Sequence, residues 1–134
     1  MTKNYIVMAV IALSSFTGCY DDDKKNPCSG FIWKQDSQRL EIIQSGGITG
    51  TIFPLVDAVR DTLSQSALDK LQQIQTVPPQ NCIADGFQYD LTITNSMGMS
   101  CEYKNNTAAC GDTGSLLFVK DSDIEELVDI INTP

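Results

Sequence analysis

The chain has 134 residues, of which 42% are hydrophobic and 19% charged, which suits one domain with a hydrophobic core. Nine lysines and arginines stand against 17 aspartates and glutamates, so nucleic acid is excluded as a partner because phosphate binding depends on clustered basic side chains. The sequence has no histidine, which excludes Ser–His and Cys–His nucleophile pairs and His-ligated zinc or haem. We therefore expect a small acidic domain that is not an enzyme and has no metal and no cofactor.

Residues 1–18 have the organisation of an export signal. Lys3 precedes an almost unbroken apolar run at positions 5–13, which is too short to span a membrane, and small and polar residues follow it. Residues 16–19 read Phe-Thr-Gly-Cys, which resembles a bacterial lipobox with Phe where leucine is usual. The sequence thus predicts a lipoprotein signal peptide over 1–18 and acylation, palmitate included, at Cys19. The alternative is an ordinary signal peptide that has a cysteine nearby.

Residues 19–36 are predicted to be a polar tether between the lipidated cysteine and the folded domain. Positions 21–25 are three aspartates and two lysines, with little to bury. Acyl chains on Cys19 predict membrane attachment in the bacterial cell envelope, at the outer membrane. The acidic run resembles the export signal of surface-exposed lipoproteins in some Gram-negative bacteria, so both faces of that membrane stay open as locations.

Four further cysteines, Cys28, Cys82, Cys101 and Cys110, predict two disulfides in an exported chain. Three connectivities are possible. The short separation favours a Cys101–Cys110 bridge, which leaves Cys28 with Cys82. A zinc site made of the four thiolates is disfavoured, because no two of them have the two-residue spacing of a zinc knuckle.

Residues 37–134 are predicted to form a single α+β domain. Residues 39–43 and 51–59 read as a hairpin around a Ser-Gly-Gly break, and residues 87–93 and 97–104 alternate as a second hairpin with one buried face. Pro54 cannot donate to a strand ladder, so it predicts an edge or a bulge in the second strand. Residues 116–119 are a candidate for a short fifth strand.

Two amphipathic helices complete the predicted domain. Ser64 is a suitable N-cap for the first helix, with Leu63 and Leu68 at the positions of a hydrophobic staple. Ser122 and Glu125 predict a capping box for the last helix, whose apolar residues at 124, 127, 128 and 131 share one face. The sequence therefore predicts a small antiparallel sheet with both helices packed on one face.

Two short motifs favour local structure over chemistry. Residues 112–115 match the active-site tetrapeptide of aspartic proteases, but such enzymes need two copies and the sequence has one, so we interpret it as a turn. Asp121, Asp123 and Glu125 resemble the start of a calcium loop, but Glu126 stands where that loop requires glycine. Their charge is instead explained by the dipole at a helix start.

From residue 38 to residue 131 the order of features resembles the emfourin family, small bacterial inhibitors of thermolysin-like metalloproteases such as protealysin. Residues 43–50 (Ile-Gln-Ser-Gly-Gly-Ile-Thr-Gly), residues 63–64 (Leu-Ser), residues 85–93 (Asp-Gly-Phe-Gln-Tyr-Asp-Leu-Thr-Ile) and the closing helix carry the resemblance. The four cysteines, the insertion at Pro78-Pro79 and the lipid anchor depart from the family pattern.

The resemblance implies that a projecting segment of this chain blocks the cleft of a metalloprotease, and that the zinc belongs to the partner. We expect the glycine hairpin to contribute, because glycine lets the backbone approach a foreign surface closely. The expected partner-binding residues are Ser45, Gly46, Gly47 and Ile48. The alternative is a structural or accessory envelope lipoprotein with no protease partner. A small-ligand carrier is less favoured, because nothing in the sequence marks a pocket.

Overall fold

The computed structural model describes residues 26–46, 50–80, 82, 86–111 and 113–133. Five strands form one open, mostly antiparallel sheet in the order β2-β1-β3-β4-β5. The strands are β1 (Ser37–Gly46), β2 (Phe53–Val59), β3 (Phe87–Asn95), β4 (Ser100–Asn105) and β5 (Phe118–Val119), and the helices are α1 (Gln65–Gln73) and α2 (Asp121–Asn132). The predicted α+β class, both hairpins and the short fifth strand are confirmed. No helix in these ranges is long and apolar enough to cross a membrane.

Strict alternation of side chains gives the sheet its two faces. Leu40 and Ile42 of β1 lie opposite Ile93 and Leu91 of β3, and all four are buried. Residues directly opposite each other in antiparallel strands point to the same face, so these pairs form the centre of the core. The helices α1 and α2 cover this face, which we call the inner face. The strand residues that alternate with these buried residues point to the opposite, polar face, which we call the outer face.

Strand β2 is both an edge and a bulged strand, as Pro54 predicts. Ile42 pairs with Val56, but the next residue, Ile43, pairs with Pro54, so Leu55 has no partner in the register. The order of the sheet leaves β2 with one neighbour, β1. A proline here interrupts no central ladder.

The two helices begin in different ways. Ser64 caps α1 as predicted, since its Oγ accepts the Ala67 N–H at 3.2 Å. The predicted capping box of Ser122 and Glu125 is wrong, because α2 begins at Asp121 and no side chain caps it. The carboxylate of Asp121 is hydrogen-bonded to Asn105 and Thr107, and the helix starts two residues earlier than the capping box predicts.

One lysine joins the two helices. Lys70 of α1 reaches Asp123 at 2.8 Å and Glu126 at 2.7 Å, both on α2. Partial burial lowers the pKa of Lys70, but the two carboxylates together outweigh that effect and raise it above the usual range. Beneath this contact, the side chains of Leu71 and Leu127 are fully buried.

The second hairpin is shorter than its alternation predicts. Met97 and Met99 were expected in a strand with a buried face, but the chain turns there and β4 starts at Ser100. Their side chains are 80% and 61% exposed. The turn forms because the Asn95 side chain accepts two backbone N–H groups, from Met97 and Met99, each at 2.9 Å.

The folded domain starts before residue 37, so the predicted tether over 19–36 is too long. Ile32 and Trp33 are buried in the core, and Ile32 N–H donates to the Ile74 carbonyl at 3.2 Å. Arg60 stacks on the Trp33 ring at 4.9 Å and donates to the Ser37 carbonyl at 2.7 Å. The apolar residues at 31–33 have too little periodicity to show this. The signal peptide, Cys19 and residues 20–25 lie outside the described residues.

All four cysteines form disulfides, but the predicted connectivity is wrong. Cys28 is bonded to Cys101 with 5.5 Å between their Cα atoms, and Cys82 is bonded to Cys110 with 4.9 Å. Cys101 is the second residue of β4, and Cys110 lies beyond the other end of that strand, since β4 runs to Asn105 and a helical turn (Asn106–Ala108) follows. Short separation in sequence therefore did not bring them together. The two disulfides indicate an extracytoplasmic domain.

Removal of the Cys28–Cys101 bridge is expected to destabilise the domain more than removal of Cys82–Cys110. The sequence separations are 73 and 28 residues, and the chain-entropy model gives about 4.4 and about 3.6 kcal/mol for them. Urea unfolding of Cys28→Ala with Cys101→Ala, beside Cys82→Ala with Cys110→Ala, measures the difference. A larger loss from the second pair would contradict it, and non-reducing peptide mapping should recover the two observed linkages.

Candidate functional site

The predicted partner-binding residues lie where β1 ends. Ser45 pairs with Gln88, and Gly46 pairs with Phe87, so both belong to the β1–β3 ladder. Gly47 and Ile48 lie outside the described residues. The next described residue is Gly50, and β2 begins at Phe53. We call this part of the sheet, where β1 ends and β2 and β3 begin, the hairpin end.

Gly46 has a structural reason to be glycine. Its φ is +90°, a left-handed conformation that other residues rarely adopt. A Cβ atom at this position would lie 3.0 Å from the Gly86 carbonyl oxygen on the neighbouring strand. The glycine predicted to approach a foreign surface therefore approaches the adjacent backbone of its own sheet.

The hairpin end exposes a group of large apolar side chains. Ile52 is 68% exposed, Phe53 is 52% and Phe87 is 53% exposed, and Leu116 is nearly half exposed. We call these four residues the hairpin-end surface. Phe53 lies opposite Gln44, and Phe87 lies opposite Gly46, so both rings lie on the inner face, on either side of β1. Phe87 and Leu116 also line a depression of about 260 Å³.

A buried amide holds Phe87 in place. Asn105 Oδ1 accepts the Tyr89 N–H at 2.8 Å, and its Nδ2 donates to the Phe87 carbonyl at 2.9 Å. The backbone register of β3 with β4 ends at the Asp90–Lys104 pair. The side chain thus replaces the backbone groups that β4 no longer offers, and the first three residues of β3 stay extended.

The same amide connects the sheet to α2. Asn105 Nδ2 donates to Asp121 Oδ2 at 3.0 Å, and this oxygen also accepts the Thr107 hydroxyl at 2.6 Å. Asp121 is the first residue of α2, where a negative charge is favourable because of the helix dipole. Burial raises the pKa of the Tyr89 phenol, and the charges of Glu125 and Asp121 raise it further. The phenol is therefore neutral at physiological pH.

A second concavity lies at the opposite end of the sheet. It has a volume of about 300 Å³ and is mainly apolar, with Cys28, Cys101, Ile93 and Tyr103 among its lining residues. The Tyr103 hydroxyl donates to the Cys28 carbonyl at 2.7 Å, and burial raises the pKa of Tyr103 to about 12. The cavity thus presents a disulfide and a protonated phenol. The sequence analysis does not predict this cavity, because residues between Pro27 and Asp36, which belong to the predicted tether, form one wall.

Within the ranges the structure describes, no three or more Cys, Asp or Glu side chains are grouped so as to hold a metal ion. The acidic residues at the start of α2 instead contact Lys70, Asn105 and Thr107. They do not form the calcium loop that their spacing resembles.

Comparisons with protein-family models, with curated proteins and with solved structures found no match to this chain. The emfourin resemblance therefore depends on the residues that carry it. Of these, Gly46 and the strand from Phe87 to Ile93 meet at the hairpin end. Asn105 and Asp121 form the contacts there that sequence reasoning missed. The sequence signals for these contacts are an Asn at the end of a predicted strand and an Asp at the start of a predicted helix.

Replacement of Gly46 by alanine is expected to destabilise the domain more than the same change at Gly98. Both glycines have positive φ, +90° and +84°, but only Gly46 has a backbone atom within 4 Å of the added Cβ. The left-handed conformation alone costs about 1–2 kcal/mol. Gly98→Ala should lose that amount in urea unfolding and Gly46→Ala more. Equal losses would show that the contact with Gly86 is unimportant.

Replacement of Asn105 by leucine, which has a similar size, is expected to lower the free energy of unfolding by about 2–3 kcal/mol. The change leaves the buried Tyr89 N–H without an acceptor and removes the link to Asp121. Asn132→Leu is the control, because Asn132 is exposed at the end of α2. That variant should stay within about 0.5 kcal/mol of the wild type. Two equally stable variants would refute the role of the amide.

Proposed function

We propose that this chain is a lipid-anchored envelope protein that binds a thermolysin-like metalloprotease through the hairpin-end surface and inhibits it by occupying its cleft. The observation that carries the proposal is the exposure of Ile52, Phe53 and Phe87 at one end of a sheet. Two disulfides support a location outside the cytosol. The lipobox-like sequence at Cys19 supports the anchor, and the emfourin resemblance supports the class of partner.

The chemistry of the surface suits a protein partner. Burial of a phenylalanine side chain that is already half buried contributes about half of the roughly 1.5–3 kcal/mol of complete burial, and aromatic anchors are typical of the central residues of interfaces. Phe53 and Phe87 supply two such side chains on the same face of the sheet. The depression beside Phe87 and Leu116 offers a place for a small side chain of the partner.

Rigidity of the surface favours tight binding. The backbone around Phe87 is fixed by the Asn105 amide, and the loops beside it are joined by the Cys82–Cys110 bridge. A surface that is ordered before binding loses little conformational entropy in the complex. Inhibition in this scheme is steric. The domain contributes no catalytic group, and the zinc belongs to the protease.

We expect Phe53→Thr to weaken inhibition at least 10-fold, which is about 1.4 kcal/mol. Val59→Thr is the matched control, because Val59 lies at the other end of β2 and is 49% exposed, against 52% for Phe53. Threonine is β-branched and favours strands, so the strand is preserved in both variants. The measurement is the inhibition constant of the chain from residue 20 onward against a panel of thermolysin-like proteases, with the melting temperature recorded beside it.

Similar inhibition by the two variants would exclude the hairpin-end surface from the interface. A wild-type chain that inhibits none of the proteases at micromolar concentration would refute the inhibitor function. The structural or accessory lipoprotein would then be the better hypothesis.

A further inference from the structure

The turn between β3 and β4 is an exposed apolar tip at the end of the sheet opposite the hairpin end. Met97 is 80% exposed and Met99 is 61% exposed, the first being the most exposed large apolar side chain in the described ranges. Met is long and flexible, so it adapts to an irregular or fluid apolar surface. Neither side chain has a place in the hairpin-end surface or in the proposed inhibition.

The backbone N–H groups of this turn are hydrogen-bonded within the protein. The Ser96 N–H donates to the Asp36 carbonyl at 2.8 Å, and the Gly98 N–H donates to the Asn95 carbonyl at 3.0 Å. The N–H groups of Met97 and Met99 both donate to the Asn95 side chain. Removal of backbone donors from water is costly unless they are paired, and all four donors at this tip are paired internally. Burial of the methionine side chains in an apolar phase therefore leaves none of these four N–H groups without a partner.

The chain enters the domain at the same end. Cys28 is bonded to Cys101, only two residues after Met99, and Lys34 and Asp36 line the cavity that Met99 also lines. Asn26 is the first described residue of the chain and follows Cys19 by seven positions. Seven residues span at most about 25 Å. A lipid anchor at Cys19 would thus hold this end of the sheet close to the bilayer surface.

We infer that the side chains of Met97 and Met99 insert into the lipid bilayer that holds the acyl chains of Cys19. The domain is then oriented with its β3–β4 turn toward the membrane. This orientation relies on the proposed anchor but not on protease inhibition. The charges of Lys34 and Asp36 beside the tip oppose each other, so the contact is apolar and does not require anionic lipid. β1 spans about 30 Å from Ser37 to Gly46, and the hairpin-end surface therefore faces away from the membrane.

The test uses tryptophan as a reporter of lipid contact. Met97→Trp and Ile52→Trp are prepared as full-length lipidated proteins and reconstituted in phosphatidylcholine vesicles, with or without lipids brominated near the headgroup end of the chain. The two positions are both highly exposed and lie at opposite ends of the sheet. Trp33 is buried and common to both proteins, so it gives the same background.

We expect brominated lipid to quench the tryptophan introduced at position 97 at least threefold more than the one introduced at position 52, with a blue-shifted emission in unbrominated vesicles. Blue-shifted emission without bromine quenching would show that a second copy or another protein surface covers the turn, which overturns the inference. Equal quenching at both positions overturns it as well.

Flotation of the wild-type protein with the vesicles tests the lipid anchor at Cys19 separately from the orientation of the domain. A protein that floats but shows no quenching at position 97 refutes the orientation alone. A protein that does not float refutes the Cys19 anchor and the orientation together, while the inhibition assay of the previous section is unaffected.

Discussion

A single buried amide determines how the hairpin end is built. Asn105 is the last residue of β4. The oxygen and nitrogen of its side chain form hydrogen bonds with the backbone of Tyr89 and Phe87, in place of a further residue of β4. The remaining N–H reaches Asp121 and so joins the sheet to the start of α2. Without this side chain the first residues of β3 would lose their hydrogen-bond partners on the β4 side, and Phe87 would be held by β1 alone. The shape of the exposed surface is thus a consequence of a polar contact in the interior.

The opposite end is held by residues that precede the first strand. Trp33 fills the core there, Arg60 covers its ring and binds backbone carbonyls of the segment that follows, and the Cys28–Cys101 bridge closes the end. Each end of the sheet therefore has its own disulfide, and the hairpin end adds the hydrogen bonds of Asn105 where the opposite end adds the stacked Arg60. The apolar pairs of β1 and β3 lie between them, and both ends depend on contacts between residues far apart in sequence.

Periodicity in the sequence was enough for the fold class, because it reports local geometry. The alternation in β3, the cap at Ser64 and the proline of β2 each depend on near neighbours in the chain, and each prediction was confirmed. Most predictions that proved wrong depended on distant partners, although the turn at Met97 and Met99 is set by the neighbouring Asn95 side chain. Disulfide pairing could not be read from spacing, because the direction of β4 separates Cys101 from Cys110. Asn105 was invisible for the same reason, since its partners lie 16 and 18 residues away.

The bulge in β2 has a consequence for self-association. An open sheet edge is a template on which another chain, including a second copy of the same protein, can add a strand. Pro54 has no backbone N–H, so the edge strand β2 lacks one hydrogen-bond donor. Leu55 beside it has no partner in the register, which interrupts the even spacing of the backbone N–H and carbonyl groups along β2. At the far edge, Val77 forms a bridge with Phe118 and occupies part of β5. In the described part of the chain neither edge offers a regular row of free backbone groups, so the sheet resists edge-to-edge association while its exposed apolar side chains stay accessible.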